Sequence, residues 1–209
     1  MTIEPNNKRV YVFVDGQNLF YAIKDAFGYP YPNYDIQKLV HLICVQRNWQ
    51  ISKIRFYTGI PDALDNERWN SFWVSKLASM GRSGVEIFTR PLRYRDQTVN
   101  LNNGKTQTIR VGREKGIDVR IAVDIIRSVL RNECDVAIIF SQDQDLSEVA
   151  DEIRMIAREH NRWIKMISAF PSSPTAKNTR GINRTDWIKI DRNTYDKCID
   201  PNNYRPITK

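Results

Sequence analysis

The sequence predicts an α/β domain with a mostly parallel central sheet, on two observations. Continuous apolar runs rich in β-branched residues recur along the chain, and such runs mark strands buried on both faces. Helix-period apolar stripes fill the intervals between them, which is the alternation of a sheet joined by right-handed crossovers.

The runs are Val10-Tyr11-Val12-Phe13-Val14, Ile54-Arg55-Phe56-Tyr57, Val85-Glu86-Ile87-Phe88, Val136-Ala137-Ile138-Ile139-Phe140 and Ile164-Lys165-Met166-Ile167. Trp187-Ile188-Lys189-Ile190 is a weaker one. Ile36, Leu39, Val40, Ile43 and Cys44 give the first clear helical stripe. Trp69, Phe72, Trp73, Lys76 and Leu77 give the second, with Trp and Phe read as core. Leu146, Val149, Ala150, Ile153, Ile156 and Ala157 give the third. Between Leu92 and Val111 the chain alternates around Asn102-Asn103-Gly104, a hairpin-turn signal. This reads as a β-hairpin arm at about 92–111. The tail after Pro171 is expected to return a short strand and a helix to the same domain. Residues 1–8 read as a tail, 9–170 as the domain and 171–209 as a basic C-terminal extension packed on it.

With 209 residues, 41% of them hydrophobic and 27% charged, the chain has enough apolar surface for a core of its own. Cys44, Cys134 and Cys198 are odd in number and widely spaced, which excludes a disulfide framework or zinc ribbon and fits a reducing compartment. No stretch approaches the ~18 apolar residues of a membrane span, and the N-terminus lacks a signal-peptide pattern. A cytoplasmic location is expected.

The net charge of +8 is patchy. Residues 90–120 hold 8 basic and 3 acidic side chains, and residues 175–209 hold 8 and 4. The remainder of the chain sums to −1. A nucleic acid is the favoured partner, since no basic amphipathic helix points to a membrane. Arg93, Arg95, Lys105 and Arg110 lie on the arm, where they bind an anion or simply solvate it, and Arg93, Arg95, Arg110 and Arg113 are the candidate phosphate contacts. Tyr94 could stack a base or pack.

The acids are more informative. The first strand ends in Asp15 and the fourth in Ser141-Gln142-Asp143-Gln144-Asp145. In an open parallel sheet both lie on the carboxyl rim, where ligands bind. A helix opening at Lys115-Gly116-Ile117-Asp118 delivers the chain to the fourth strand, so Asp118 begins at that rim too. On a helical wheel Asp118 shares the apolar face of Ala122, Ile125 and Val129, whereas Asp124 falls with Arg120, Arg127 and Arg131. Asp118 is therefore read as functional and Asp124 as a structural ion-pair residue. Simpler roles stand beside these: Asp15 as a helix cap, Asp118 as a dipole partner, and Asp145 with Glu148 as a capping box. Three aspartates meeting at one rim call for a divalent cation, Mg²⁺ or Mn²⁺, because clustered carboxylates repel. Isolated His41 and His160 do not point to zinc, and no phosphate loop, dinucleotide fingerprint or nucleophile elbow is present.

Val14-Asp15-Gly16-Gln17-Asn18, Lys115-Gly116-Ile117-Asp118-Val119 and Ser141-Gln142-Asp143-Gln144-Asp145, in this order, resemble the NYN domain. More narrowly they are similar to its LabA-like branch, within the PIN-like nuclease superfamily. The resemblance covers about Arg9 to Phe170. It implies a PIN-like three-layer α/β/α sandwich and metal-dependent cleavage of RNA, or of DNA. It assigns Asp15, Asp118 and Asp143 to the metal, Asn18 to a polar partner role, Asp145 to a second loop acid and Ser141 to steadying the loop. Asn18 would position a water or phosphate, and Lys115 would offset phosphate charge or merely be solvated. Asp124 falls where many relatives carry Asp, against the wheel. Leu146 replaces a frequent Phe, and the arm and basic tail lie outside the minimal domain.

The expected function is a metal-dependent ribonuclease. The alternative is a non-catalytic nucleic-acid-binding regulator of the LabA type. A phosphoacceptor or phosphohydrolase is disfavoured because Asp15-Gly16-Gln17 lacks a following acid. A homodimer is compatible with the family type, and no interface can be read.

Overall fold

A computed structural model describes residues 2–100 and 106–206 of the chain. The order is β1 (Lys8–Asp15), α1 (Gly16–Phe27), α2 (Ile36–Val45), β2 (Trp49–Ile60), α3 (Ala63–Arg82) and β3 (Glu86–Pro91). The arm follows as β4 (Arg93–Asn100) and β5 (Thr106–Arg113). Then come α4 (Ile117–Leu130), β6 (Val136–Phe140), a 3₁₀ turn (Gln144–Leu146), α5 (Ser147–Glu159), β7 (Lys165–Pro171), β8 (Asp186–Ile190) and α6 (Arg192–Asp196).

Six strands form one sheet in the order β3-β2-β1-β6-β7-β8, and every pairing is parallel. The apolar runs have a direct structural meaning at its centre. Val10, Val12 and Val14 of β1 and Val136, Ile138 and Phe140 of β6 enter the core on one face, with helices α1–α3. The alternate residues Tyr11, Phe13, Ala137 and Ile139 enter the core on the other, with α4 and α5. A strand covered on both faces needs apolar residues at every position, hence a run rather than an alternation. The result is a three-layer α/β/α sandwich.

From β1 the chain moves outward to β2 on one side; from β6 it moves to β7 on the other. The β1/β6 junction is thus the topological switch point, and its carboxyl end is where a crevice opens in such sheets.

The arm is a two-stranded antiparallel ribbon, Arg93 facing Arg113 and Asn100 facing Thr106. Its expected turn, Asn102-Asn103-Gly104, and Lys105 lie outside the described residues. After Pro171 the tail adds β8 as an edge strand and α6 behind it.

Lys76, part of an otherwise apolar stripe, is fully buried. Its ammonium donates to the Tyr34 carbonyl at 2.8 Å and to Asp200 at 3.2 Å, and it lies 4.9 Å from the Tyr204 ring centroid. An internal cation therefore fastens the C-terminal segment to α3. The three cysteines are free and buried. Among the described residues no helix is long and apolar enough to cross a membrane.

Candidate metal centre at the carboxyl rim

Asp15 closes β1 in an extended conformation and caps α1, its Oδ1 accepting the Asn18 N–H at 3.0 Å. The capping role read from the sequence is real, and it also holds the carboxylate at the switch point. Only glycine fits at position 16, because a Cβ there would meet the Phe56 ring at 2.6 Å and the Tyr57 carbonyl at 2.8 Å. Asn18 then reaches across the junction, and its Oδ1 accepts the Gln142 N–H at 2.9 Å. The amide expected to orient water or phosphate thus ties the two rim loops together.

In the loop after β6, the Asp143 N–H donates to Ser141 Oγ at 3.1 Å, as a loop-steadying serine should allow. Asp143 in turn caps the 3₁₀ turn, accepting the Asp145 N–H at 3.1 Å. Asp145 is exposed and outside the cleft, and Leu146, without a side-chain cap, precedes α5. The expected Asp145–Glu148 capping box is absent because the 3₁₀ turn occupies those positions and Asp143 takes the cap. The loop's glutamines were not singled out in the sequence. Gln142 Nε2 donates to the carbonyls of Asn178 and Arg180, and Gln144 Nε2 to that of Gly181, docking the C-terminal segment beside the site.

Gly116 opens α4 in the left-handed region (φ 75°), with Arg90 packed where a Cβ would stand. Asp118 follows in the first turn, exposed toward the same cleft as Asp15 and Asp143. The wheel reading of α4 needs rotating: its buried face is Ile117, Ile121, Asp124, Ile125, Ser128 and Val129. Asp124 is buried, not on the polar side. Its Oδ2 accepts from Arg55 at 2.8 Å, Tyr57 at 2.9 Å and Arg120 at 2.9 Å. The ion-pair role stands through Arg120 on the same helix, as the wheel suggests, and is completed by Arg55 and the Tyr57 hydroxyl on β2, which no wheel can show.

These elements enclose a cleft of about 390 Å³ lined by Asp15, Asn18, Glu114, Lys115, Asp118 and Asp143, among others. Glu114 was missed by the sequence reading. It sits between the arm and α4, outside any motif, and only the fold brings it to β2: its carboxylate accepts the Gly59 N–H across 55 residues of sequence. Burial pushes its carboxyl up to about 7, with Asp15 and Asp118 adding to the rise and the Gly59 N–H opposing it. Burial likewise pushes Asp15 up to about 6, opposed by the Asn18 N–H and reinforced by Asp143.

The donor set is all oxygen, which suits a hard divalent cation, and burial, reinforced by neighbouring carboxylates, holds two of the carboxyls above their ordinary values. Among the described residues, no three His, Cys, Asp or Glu side chains stand grouped as metal ligands. The carboxylates ring the cleft without converging on one point. His41 and His160 are exposed and do not line it.

The arm divides the four arginines. Arg93 and Arg113 oppose each other and share a face with Arg95, since alternate residues project alike. Arg110 belongs to the other face, paired with Asp65 at 3.4 Å and lying 5.1 Å from the Tyr94 ring centroid. Tyr94 packs, its hydroxyl accepting the Asp62 N–H at 3.1 Å. Lys115 is exposed at the cleft wall.

A six-stranded parallel α/β/α sandwich with an acidic cleft at its switch point belongs to the class of PIN-like domains. Within that class the chain belongs to the NYN domain family, which it matches over residues 9–179, and this family is part of the PIN-like nuclease superfamily. No curated protein matches the sequence. Among solved structures it is similar to a protein of unknown function from Vibrio parahaemolyticus, with TM-score 0.52 and 18% identity over 91% of this chain and 98% of that one. That likeness concerns the fold. A deacetylase of teicoplanin biosynthesis (TM-score 0.33, 12% identity, 76% and 68% covered) and MurG from Acinetobacter baumannii (TM-score 0.34, 11% identity, 87% and 45% covered) are more distant.

Proposed function

We propose that this chain is a metal-dependent phosphodiesterase of the LabA-like branch that cleaves RNA. The observation that carries the reading is the meeting of Asp15, Asp118, Asp143 and Glu114, from separate segments, in one cleft beside basic surface. Asp15, Asp118 and Asp143 would hold Mg²⁺ or Mn²⁺. The bound ion would supply Lewis acidity and a water of lowered pKa. The chain's own part is to aim and to neutralise. Asn18 keeps Asp15 and Asp143 in register, Ser141 steadies the second loop, and Lys115 offsets phosphate charge. Glu114, half-buried and with its carboxyl pushed up to about 7, can hold or release a proton at its carboxylate. Arg93, Arg95 and Arg113 share one arm face and would contact phosphates; Arg110, already paired with Asp65, contributes less. Asp145, outside the cleft, has a loop role only.

The second reading, a nucleic-acid-binding regulator with little turnover in a cytoplasmic setting, is favoured by one observation: the acids do not converge as a ligand group. A cleavage assay with Mn²⁺ or EDTA against RNA, single-stranded DNA and duplexes separates the two. Metal-dependent products lost in Asp118→Asn support the phosphodiesterase. Salt-sensitive binding without products supports the regulator.

A further inference from the structure

The acidic cleft does not end at its own wall. Gln17 and Tyr21 of α1 line it and also line a second cavity of about 300 Å³, walled by Phe20, Trp69, Trp73 and Leu92 at the base of the arm. Trp69 and Pro30 then continue into a third cavity, of about 260 Å³, with Tyr31, Arg68 and Arg205. The three adjoin through shared wall residues and mark out a groove leading away from the carboxylates.

Its chemistry changes along the way. The first cavity carries four acids; among the described residues, no carboxylate lines the second or third. Those carry Lys24, Arg68 and Arg205 instead, with Arg205 lying 4.5 Å from the Tyr31 ring centroid. The aromatic rings are held in place and left open. Trp69 is half-buried; its backbone N–H donates to Asn66 Oδ1 at 3.1 Å where α3 breaks its regular backbone, and its ring packs edge-on to Phe72. Tyr21 is 57% exposed at the junction of the cavities. The sequence stripe assigned Trp69 to the core; the structure leaves part of it on the groove wall.

We infer that a single-stranded nucleic-acid segment leaves the acidic cleft through this groove, with its bases stacked on Tyr21 and Trp69 and its phosphates facing Lys24, Arg68 and Arg205. Aromatic faces interleaved with cations are the pattern that holds single strands without sequence choice. A concave slot admits an unstacked base, whereas duplex bases are already stacked on each other. The inference rests on reading the acidic cleft as a phosphodiesterase centre, and it adds the strandedness of the substrate and the residues that select it.

The test is binding of a labelled single-stranded RNA, and of the duplex of the same sequence, to the full chain in EDTA. Tyr21→Ala, Trp69→Ala and Trp69→Phe are compared with the unaltered protein, with thermal unfolding in parallel. Each alanine variant should weaken single-strand binding by about tenfold, Trp69→Phe should retain most of it, and duplex binding should be weaker and unchanged. Tyr21, being largely exposed, keeps the test sound if Trp69→Ala unfolds. Single-strand binding unaffected by Tyr21→Ala and by the folded Trp69 variants overturns the groove, as does equal or tighter binding of the duplex. A Mn²⁺ cleavage arm distinguishes the two readings. Ring-dependent binding without products keeps the groove and removes the phosphodiesterase; products with ring-independent binding do the reverse.

Discussion

The side-chain carbonyl of Asn18 accepts the backbone N–H of Gln142 at 2.9 Å, joining residues 124 apart in sequence. Because Asn18 also donates its own N–H to Asp15, and Gln142 precedes Asp143, one amide sets the spacing of two rim carboxylates. Asn18→Ala should therefore cost about 1–2 kcal/mol of stability through an unpaired N–H. It should also weaken Mn²⁺ binding, read by titration of the folded variant. Loss of stability with unchanged Mn²⁺ affinity would make Asn18 structural only.

Asp15→Asn and Asp143→Asn should each abolish Mn²⁺-dependent cleavage while raising the melting temperature of the metal-free protein, since each removes one charge from a repelling cluster. Cleavage that survives in both purified variants removes the assignment of the centre.

Stability of the metal-free protein should fall as pH rises from 5 to 7.5. Asp15 and Glu114 titrate near their ordinary values when unfolded, 3.8 and 4.5, and near 6 and 7 when folded. The folded state thus favours the protonated forms: their contribution is fully present below about pH 4 and gone above about pH 7. Asp135, Asp191 and Asp200, held below the usual carboxylate range by hydrogen bonds that outweigh burial in Asp135 and Asp200, act only at lower pH. Thermal melts across the range, with and without Mn²⁺, check this. The metal should remove most of the slope, and Asp15→Asn part of it.

Lys76→Met should destabilise the fold by about 3 kcal/mol, because Asp200 and the Tyr34 carbonyl lose a buried partner. Adding Asp200→Asn should recover part of that. Urea unfolding of the single and double variants measures the coupling, and additive losses would show that the pair is not coupled.

Arg93→Ala, Arg95→Ala and Arg113→Ala should each reduce the slope of log affinity against log salt by about 1 if each neutralises a phosphate. Arg110→Ala should change it little and instead loosen the arm through loss of Asp65. Four equal reductions would mean that the arm presents both faces to the nucleic acid.

The residues that were legible in sequence share a reason. Asp15 ends one apolar run and Asp143 follows another in the loop just after it, and β-branched runs of this length, alternating with helical stripes, mark central parallel strands whose ends reach the carboxyl rim. Asp118 follows from the direction of a crossover helix. Asp124 was misplaced because a wheel finds the apolar stripe but not its exact heading, and the Arg55 and Tyr57 that allow a carboxylate to be buried lie on another element. Glu114 carried no local signal, since its environment consists of Gly59 and the acids of other segments. The four arm arginines were a single patch in the sequence; pairing register split them three to one.

By itself, then, the sequence determined the layering, the resemblance to the NYN family and the three rim aspartates, because hydrophobic period, the alternation of strands with helices and the order of the motifs are properties of the chain read along its length. Tertiary structure decided the rest. It set which acids share a cleft, and it raised Asp15 and Glu114 toward neutrality by burial. It gave Asn18, expected to position a water or phosphate, a hydrogen bond that clamps the two rim loops, and it opened Trp69 and Tyr21 onto a groove. Each of these depends on distances between residues tens of positions apart, which only the packing of helices onto the sheet brings into being.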